Sequence, residues 1–312
     1  MLYRPLGDTG LTVSEIGLGC ASFWGKPLFD ERQALGLVHK ALDRGVTFFD
    51  TGASYSHGRA EPRLGRALRG REVGELVVAT KAGTSYAGGG RIVRDMTPAG
   101  VVASAEASLR RLGLERLPLL QLHGPAVAEL TDELQEALTR LRERGLVRAL
   151  GVNSFDPKVI DHVLELPLFD VVMIDYNVLR PDREPLIAKA AARGKGVLAG
   201  MALAMGHTGR KILKIRGLQD VWYAARALAR HRGEALAGAR FGFLDGEPGM
   251  SGAQAALAYV LANPQVACAV VGTTRMRHLE DNIAASGLGL SEPMLGRIRA
   301  AQQRAAISST SD

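Results

Sequence analysis

Eight short apolar runs alternate with eight amphipathic stretches along this chain, and that alternation restricts its fold more than any other property. The runs fall at 14–19 (SEIGLG), 46–50 (VTFFD), 76–81 (LVVATK), 118–123 (PLLQLH), 147–152 (VRALGV), 171–176 (VVMIDY), 196–200 (GVLAG) and 268–272 (CAVVG). Helical periodicity occupies 31–44, 60–69, 97–112, 129–144, 156–165, 183–193, 251–262 and 276–285. Thr97-Pro98 and Asp156-Pro157 each set a capping residue before a first-turn proline, and Ser251 caps GAQAALAYVLANP. Strands that are apolar on both faces and separated by helices predict a parallel sheet buried on both sides. Eight such units close a barrel. The expected fold class is therefore α/β, a (β/α)8 TIM barrel formed by residues 1–312 as one domain. The first dozen residues read as a hairpin capping one barrel end. Residues 206–250 read as a long loop insertion after strand seven, helical over 218–236. The alternative is an open doubly wound sheet, which prefers a glycine fingerprint that GLGCASFWG does not fit.

Composition excludes several function classes. The 312 residues are 46% hydrophobic and 23% charged, enough for a large soluble core. No apolar run approaches the ~20 residues a membrane span needs, and MLYRPLGDTG has no apolar signal core, so a cytoplasmic location and no membrane partner are expected. Cys20 and Cys268 lie far apart in sequence, which suits free thiols in a reducing compartment. No Cys/His cluster has zinc spacing, and no metal is expected. The net charge of +7 does not predict nucleic-acid binding. The basic residues of ASLRRLGLER and LTRLRERGLVR alternate with apolar ones, as on a solvated helix face. A local positive patch for a phosphorylated cofactor stays open.

Four residues stand at or just beyond predicted strand ends: Asp50, Tyr55, Lys81 and His123. Strand C-termini converge at the mouth of a parallel barrel. Singly, each has a bland reading, as a turn cap, a packing ring or a solvated ammonium. Together, a tyrosine beside a lysine, a carboxylate and a histidine make a proton-donating apparatus. A free phenol has a pKa of about 10, and a nearby ammonium lowers it by ~1–3 units.

The same segments resemble the aldo-keto reductase family. GVTFFDTGASY…AEPRLGRAL is similar to that family's D-T-A-x-x-Y-G…E-x-x-x-G-x-x-L stretch, and VVATK and LLQLHGP match the places of its catalytic lysine and histidine. The resemblance runs from YRPLGDTGLTVSEIGLG to LEDNIAASG, with SEIGLG and LAMG loosely similar to bacterial and plant sugar-dehydrogenase-like branches. It implies a barrel that holds a nicotinamide cofactor across its mouth without a Rossmann domain. It also implies an oxidoreductase interconverting small-molecule carbonyls (aldehyde, ketone or sugar) and alcohols. Tyr55 would be the general acid or base. Lys81 would lower its pKa, Asp50 would hold Lys81 charged, and His123 would donate a hydrogen bond to the substrate oxygen. A monomer is the default.

The resemblance also locates cofactor contacts, with departures. Asn153-Ser154 reverses the usual Ser-Asn pair at the nicotinamide carboxamide. Met173 replaces a glutamine on strand six, and Gly200 replaces the stacking aromatic of strand seven, with Met201 and Leu203 following it. Gly272, Thr273 and Thr274 would face the pyrophosphate. Arg275, Arg277 and His278 would face a 2′-phosphate, and Asp281 and Asn282 the adenine. The cationic trio favours NADP(H), with NAD(H) possible. Trp24 and Tyr86 are expected pocket walls, together with Phe23, Met205 and His207. Two other readings stand beside this one: a cofactor-binding regulatory relative with little turnover, and a Schiff-base barrel aldolase using Lys81.

Overall fold

The computed structural model describes residues 1–89, 91–204 and 240–309. Its chain order begins with β1 (Tyr3–Pro5), β2 (Thr12–Ser14), β3 (Ile16–Gly19), α1 (Glu31–Asp43), β4 (Phe48–Asp50) and α2 (Ala60–Leu68). It continues with β5 (Val77–Ala82), β6 (Thr84–Tyr86), β7 (Ile92–Arg94), α3 (Pro98–Leu112), β8 (Leu117–His123) and α4 (Asp132–Glu143). Then follow β9 (Val147–Asn153), α5 (Pro157–Leu164), β10 (Val171–Asp175), α6 (Glu184–Ala191) and β11 (Gly196–Gly200). The chain closes with α7 (Gly252–Leu261), β12 (Cys268–Val271), α8 (Met276–Ile283) and α9 (Glu292–Ser309). The strands β3, β4, β5, β8, β9, β10, β11 and β12 pair in parallel into a closed barrel, as the alternation predicts. The helix 218–236 and the pocket residues Met205 and His207 fall outside the described residues.

The helices start where side chains can satisfy the free N–H groups of a first turn. Thr97 accepts from Gly100 N ahead of α3, Asp156 from Lys158 N ahead of α5, and Ser251 from Gln254 N ahead of α7.

Side chains alternate between the two faces of a strand. The inward set comprises Phe48, Val77, Ala79, Leu119, Ala149, Val171, Met173, Leu198 and Cys268, which form one buried cluster inside the barrel. A larger cluster packs the outward set against the helices. The floor of the inner cluster is the N-terminal hairpin. β1 and β2 pair antiparallel, and Leu6, between them, is fully buried with Leu11 and Val13. Asp8 N donates to Gly194 O at 2.7 Å, which ties the hairpin to the start of β11. Two glycines make that approach possible. A Cβ on Gly7 would lie 2.3 Å from Gly196 N, and one on Gly196 would lie 2.7 Å from Leu6 Cδ1.

Two elements were not anticipated. β6 and β7 form an antiparallel hairpin in the loop after β5. The alternation of TSY and IVR around Gly88-Gly89 is a hairpin signal, easily lost because each strand has only three residues. The last helix, α9, begins after Ser291, whose Oγ accepts from Met294 N at 3.3 Å. Its Gln302 reaches Val178 O and Tyr259 Oη, both at 3.0 Å. No helix among the described residues is long and apolar enough to cross a membrane.

Leu6 plugs a fully buried site with no slack around it, so Leu6→Ala is expected to cost about 2–5 kcal/mol of stability. Urea unfolding monitored by circular dichroism measures this. A loss under about 1 kcal/mol would show that the hairpin does not support the core.

Candidate active site

The period-two alternation that builds the inner cluster also places the candidate groups above it. Asp50 lies two residues beyond Phe48, Lys81 two beyond Ala79, and His123 four beyond Leu119, so all three face the barrel axis at its C-terminal mouth.

Lys81 has 0% exposure. Its Nζ donates to Asp50 Oδ1 at 2.5 Å and to the Thr51 carbonyl at 2.8 Å. Burial alone would lower the pKa of this ammonium. The charge of Asp50, then that of Tyr55, outweigh burial and raise it. Nζ lies 4.7 Å from the centre of the half-buried Tyr55 ring. The His123 ring meets the Tyr55 ring edge-on, with centroids 5.5 Å apart and planes at 82°. Desolvation, then the charges of Lys81 and Arg94, push His123 from its ordinary value near 6.5 down to about 3. The imidazole is therefore neutral at neutral pH. Four groups drawn from three strands and one loop are thus in one cluster.

Several contributors were not singled out in the sequence. Gln121, fully buried two residues before His123, has its Nε2 3.5 Å from Asp50 Oδ1. Thr84, the first residue of β6, has Oγ1 2.6 Å from His123 Nδ1. Ser54 Oγ lies 3.2 Å from Thr84 Oγ1. Arg94, the last residue of β7, pairs with Glu129 and donates to Gly124 O at 2.8 Å, clamping the hairpin to the loop after His123.

The expected pocket walls separate into two groups. Tyr86 stands on the mouth hairpin and stacks on His57 at 5.2 Å and 17°. Trp24 corrects the expectation: it is 1% exposed and presents no surface to a substrate. Its Nε1 donates to Ala34 O at 3.1 Å, and Arg63 lies over its ring at 5.8 Å. Helix packing has taken the whole indole. Phe23 is also buried, edge-on to Phe29 at 6.1 Å.

The expected cofactor contacts line the other side of the mouth. Gly19, Gly200 and Gly272 end or follow three neighbouring strands, β3, β11 and β12, and leave a side-chain-free strip. A Cβ on Gly272 would lie 3.2 Å from Gly19 O, so any side chain there would fill the strip. A flat ring fits such a floor. Thr273 Oγ1 accepts from Arg275 N at 3.1 Å, shaping the turn into α8. Thr274 and Arg275 are partly exposed there, and Arg277 and His278 are exposed. This turn and its cationic neighbours fit an anionic dinucleotide.

Asn153 ends β9 in register with His123 and Met173. Ser154 Oγ accepts from Asp156 N at 3.2 Å, which is a turn role. Met173 is buried within the inner cluster. Met201 has a left-handed φ of 55°, and its carbonyl accepts from Asn177 Nδ2 at 3.1 Å. Leu203 packs partly buried on the outer core. Asp281 accepts from Ser251 Oγ at 2.8 Å, which joins α8 to the start of α7, and Asn282 is buried.

Comparison with known proteins bears on the fold and the family. The model of the aldo/keto reductase family matches residues 15–303. The uncharacterized oxidoreductase YqkF of Bacillus subtilis is 29% identical over 289 residues, covering 92% of this chain and 91% of that protein. L-Galactose dehydrogenase of Arabidopsis thaliana is 28% identical, covering 95% of this chain and 93% of that protein. Among solved structures, the holo form of aldo-keto reductase AKR11C1 from Bacillus halodurans superposes with a TM-score of 0.80 at 25% identity, covering 96% of each chain. Glycerol dehydrogenase AKR11B4 from Gluconobacter oxydans gives 0.79 at 26%, covering 97% of this chain and 95% of that one.

The depressed His123 pKa has a consequence for stability. As pH falls below about 6.5, the unfolded histidine takes up a proton and the folded one does not until about 3, so stability falls across that window. His123→Asn is expected to flatten the loss of stability between about pH 6.5 and 5, a range largely above the carboxylate pKa values. Chemical denaturation at several pH values measures this, and an unchanged slope would contradict a neutral buried imidazole.

Proposed function

Because this chain belongs to the aldo/keto reductase family, whose members are oxidoreductases of carbonyl and alcohol substrates, we propose that it is an NADP(H)-preferring reductase or dehydrogenase with Tyr55 as its general acid and base. The observation that carries the reading is the placement of Lys81. Its ammonium is held against Asp50 beneath the Tyr55 ring, with the edge of His123 beside that ring.

When bound, a nicotinamide cofactor supplies or accepts the hydride. The protein handles the proton. In reduction, Tyr55 Oη gives its proton to the substrate oxygen; in oxidation the phenolate takes the alcohol proton. A positive charge next to the ring favours the phenolate and so brings the phenol nearer to working pH. Asp50 and the Thr51 carbonyl keep that charge in place. Neutral His123 orients the oxygen by hydrogen bonding and adds no charge to the site. Gly200 would lie beside the nicotinamide end, and Gly272, Thr273 and Thr274 would face the pyrophosphate. Arg275, Arg277 and His278 are the groups suited to a 2′-phosphate.

The aldolase reading needs a lysine that loses its charge readily. Asp50 acts in the opposite direction on Lys81. The regulatory reading draws on Met173 and Gly200, and predicts cofactor binding without turnover. Relatives named for L-galactose and glycerol place aldoses and polyols among the substrates to try, beside reactive aldehydes and ketones.

The test follows NADPH absorbance against such a panel, with NADH in parallel. Tyr55→Phe is expected to lower kcat by about 100-fold or more. Replacing Arg275 and Arg277 together by Ala is expected to raise KM for NADPH about tenfold and leave that for NADH nearly unchanged. Full activity in Tyr55→Phe would overturn the assignment of the proton donor.

A further inference from the structure

We propose that Ser54 and Thr84 are positioning residues that fix His123 in the tautomer carrying its proton on Nε2, so that Nε2 donates to the substrate oxygen. The proposal rests on the reading of His123 given above, but its structural part can be tested without turnover.

The contacts form a short relay. Thr84 Oγ1 lies 2.6 Å from His123 Nδ1, and Ser54 Oγ lies 3.2 Å from Thr84 Oγ1. The three groups come from three loops or strand ends around the mouth: the loop after β4, the start of β6 and the end of β8. The backbone holds Thr84 in place. Gly83, just before it, has φ +88°, and Asp95 N donates to Gly83 O at 2.9 Å, closing the hairpin base. Arg94, paired across β6–β7 with Thr84, clamps the hairpin to Gly124 O, next to His123 itself.

Counting protons gives the relay its direction. Each hydroxyl has one proton to donate, and a neutral imidazole has one N–H and one lone pair. If Ser54 donates to Thr84, then Thr84 donates to Nδ1, and the imidazole proton sits on Nε2. The one proton that leaves the relay is then Nε2–H, on a half-buried ring at the barrel mouth where a substrate oxygen or water can accept it. In the reverse direction Nδ1–H donates to Thr84, Thr84 donates to Ser54, and the Ser54 proton is left over. Ser54 is 6% exposed, and Thr84 is its hydroxyl's hydrogen-bond partner among the described residues. A buried hydroxyl proton without an acceptor costs about 1–3 kcal/mol, so the first direction is favoured.

The charge state leaves tautomerism as the remaining freedom. The charged and titratable groups facing His123 are Lys81, Arg94 and Tyr55. The two cations disfavour imidazolium, as burial does. A neutral ring in the opposite tautomer would turn the Nε2 lone pair toward a carbonyl oxygen and repel it. The correct tautomer is therefore a condition for substrate orientation, and two hydroxyls with no substrate contact in this scheme set it.

The experiment is long-range 1H–15N correlation NMR on histidine-labelled full-length protein. The His123 signals are assigned by their loss in His123→Gln. The expected wild-type spectrum shows a protonated Nε2 and a bare Nδ1. Thr84→Ser should keep it. Thr84→Val removes the donor to Nδ1 and with it the bias, and should give a mixture of the two tautomers, as should Ser54→Ala. In the reduction assay Thr84→Val should lower kcat about 10- to 100-fold, the scale of outer-shell orienting groups, with KM within about threefold and recovery in Thr84→Ser. A wild-type ring protonated on Nδ1 overturns the proposal. So does an unchanged tautomer in Thr84→Val, or in Ser54→Ala if Thr84→Val does not fold. A shifted tautomer with unchanged kcat overturns the link to substrate orientation. If the wild-type protein reduces no carbonyl at all, the function assigned above fails, and the relay is decided by the spectra alone.

Discussion

The buried ion pair between Lys81 and Asp50 is the constraint around which the mouth of this barrel is arranged. A fully buried ammonium costs several kcal/mol to desolvate, and it is tolerated only with close partners. Here the partners are Asp50 Oδ1 at 2.5 Å and the Thr51 carbonyl at 2.8 Å. Thr51 N donates in turn to Ala79 O at 2.9 Å, and Cys20 N to Asp50 O at 2.7 Å, so β3, β4 and β5 are tied together at the level of the pair. The Lys81 charge is therefore fixed in position beneath Tyr55. An electrostatic effect on a phenol requires that fixity, because the interaction falls off with distance and is weak when solvent intervenes.

The barrel supplies the rest by geometry. A period of two along each strand sends alternate residues inward, where the lower layers fill with Phe48, Leu119 and their neighbours and the upper layer carries the polar groups. One half of the mouth, from β4, β5 and β8, bears the charged and titratable side chains. The opposite half, from β11, β12 and β3, ends in Gly200, Gly272 and Gly19. Ionisable groups on one side and a bare strip on the other thus stand in separate places at the mouth. The outward face has its own polar support. Glu61, from the AEPRLG segment, accepts from Thr80 Oγ1 at 2.5 Å and from Arg111 Nε at 2.6 Å. That motif glutamate is a strut behind the strand that carries Lys81.

Much of this was legible in the sequence, and the reason is periodicity. Eight apolar runs with capped helices between them locate the strands, and strand ends such as VVATK and LLQLH locate Lys81 and His123. Three things were not legible. The β6–β7 hairpin is only three residues per strand, too short for a periodic signal to stand clear of a loop. Thr84 and Ser54 have unremarkable side chains whose partners lie 39 and 30 residues away, and no local pattern encodes that distance. Trp24 looked like a pocket wall because it follows strand one at the mouth. Its burial depends on Ala34 and Arg63, from two helices that the sequence locates but does not orient.

The two departures on strands six and seven turn out to be neighbours. A Cβ on Gly200 would lie 3.4 Å from Met173 Cγ and 3.5 Å from its Sδ. A Cβ at this position on β11 would therefore be in ordinary contact with the methionine on β10. A flexible thioether is well suited to filling an irregular gap. The thioether would also contribute to the floor beside the bare strip, in place of the amide and the aromatic ring that the family pattern puts there. Lys81, Asp50 and Tyr55 stand on the other half of the mouth, away from both positions.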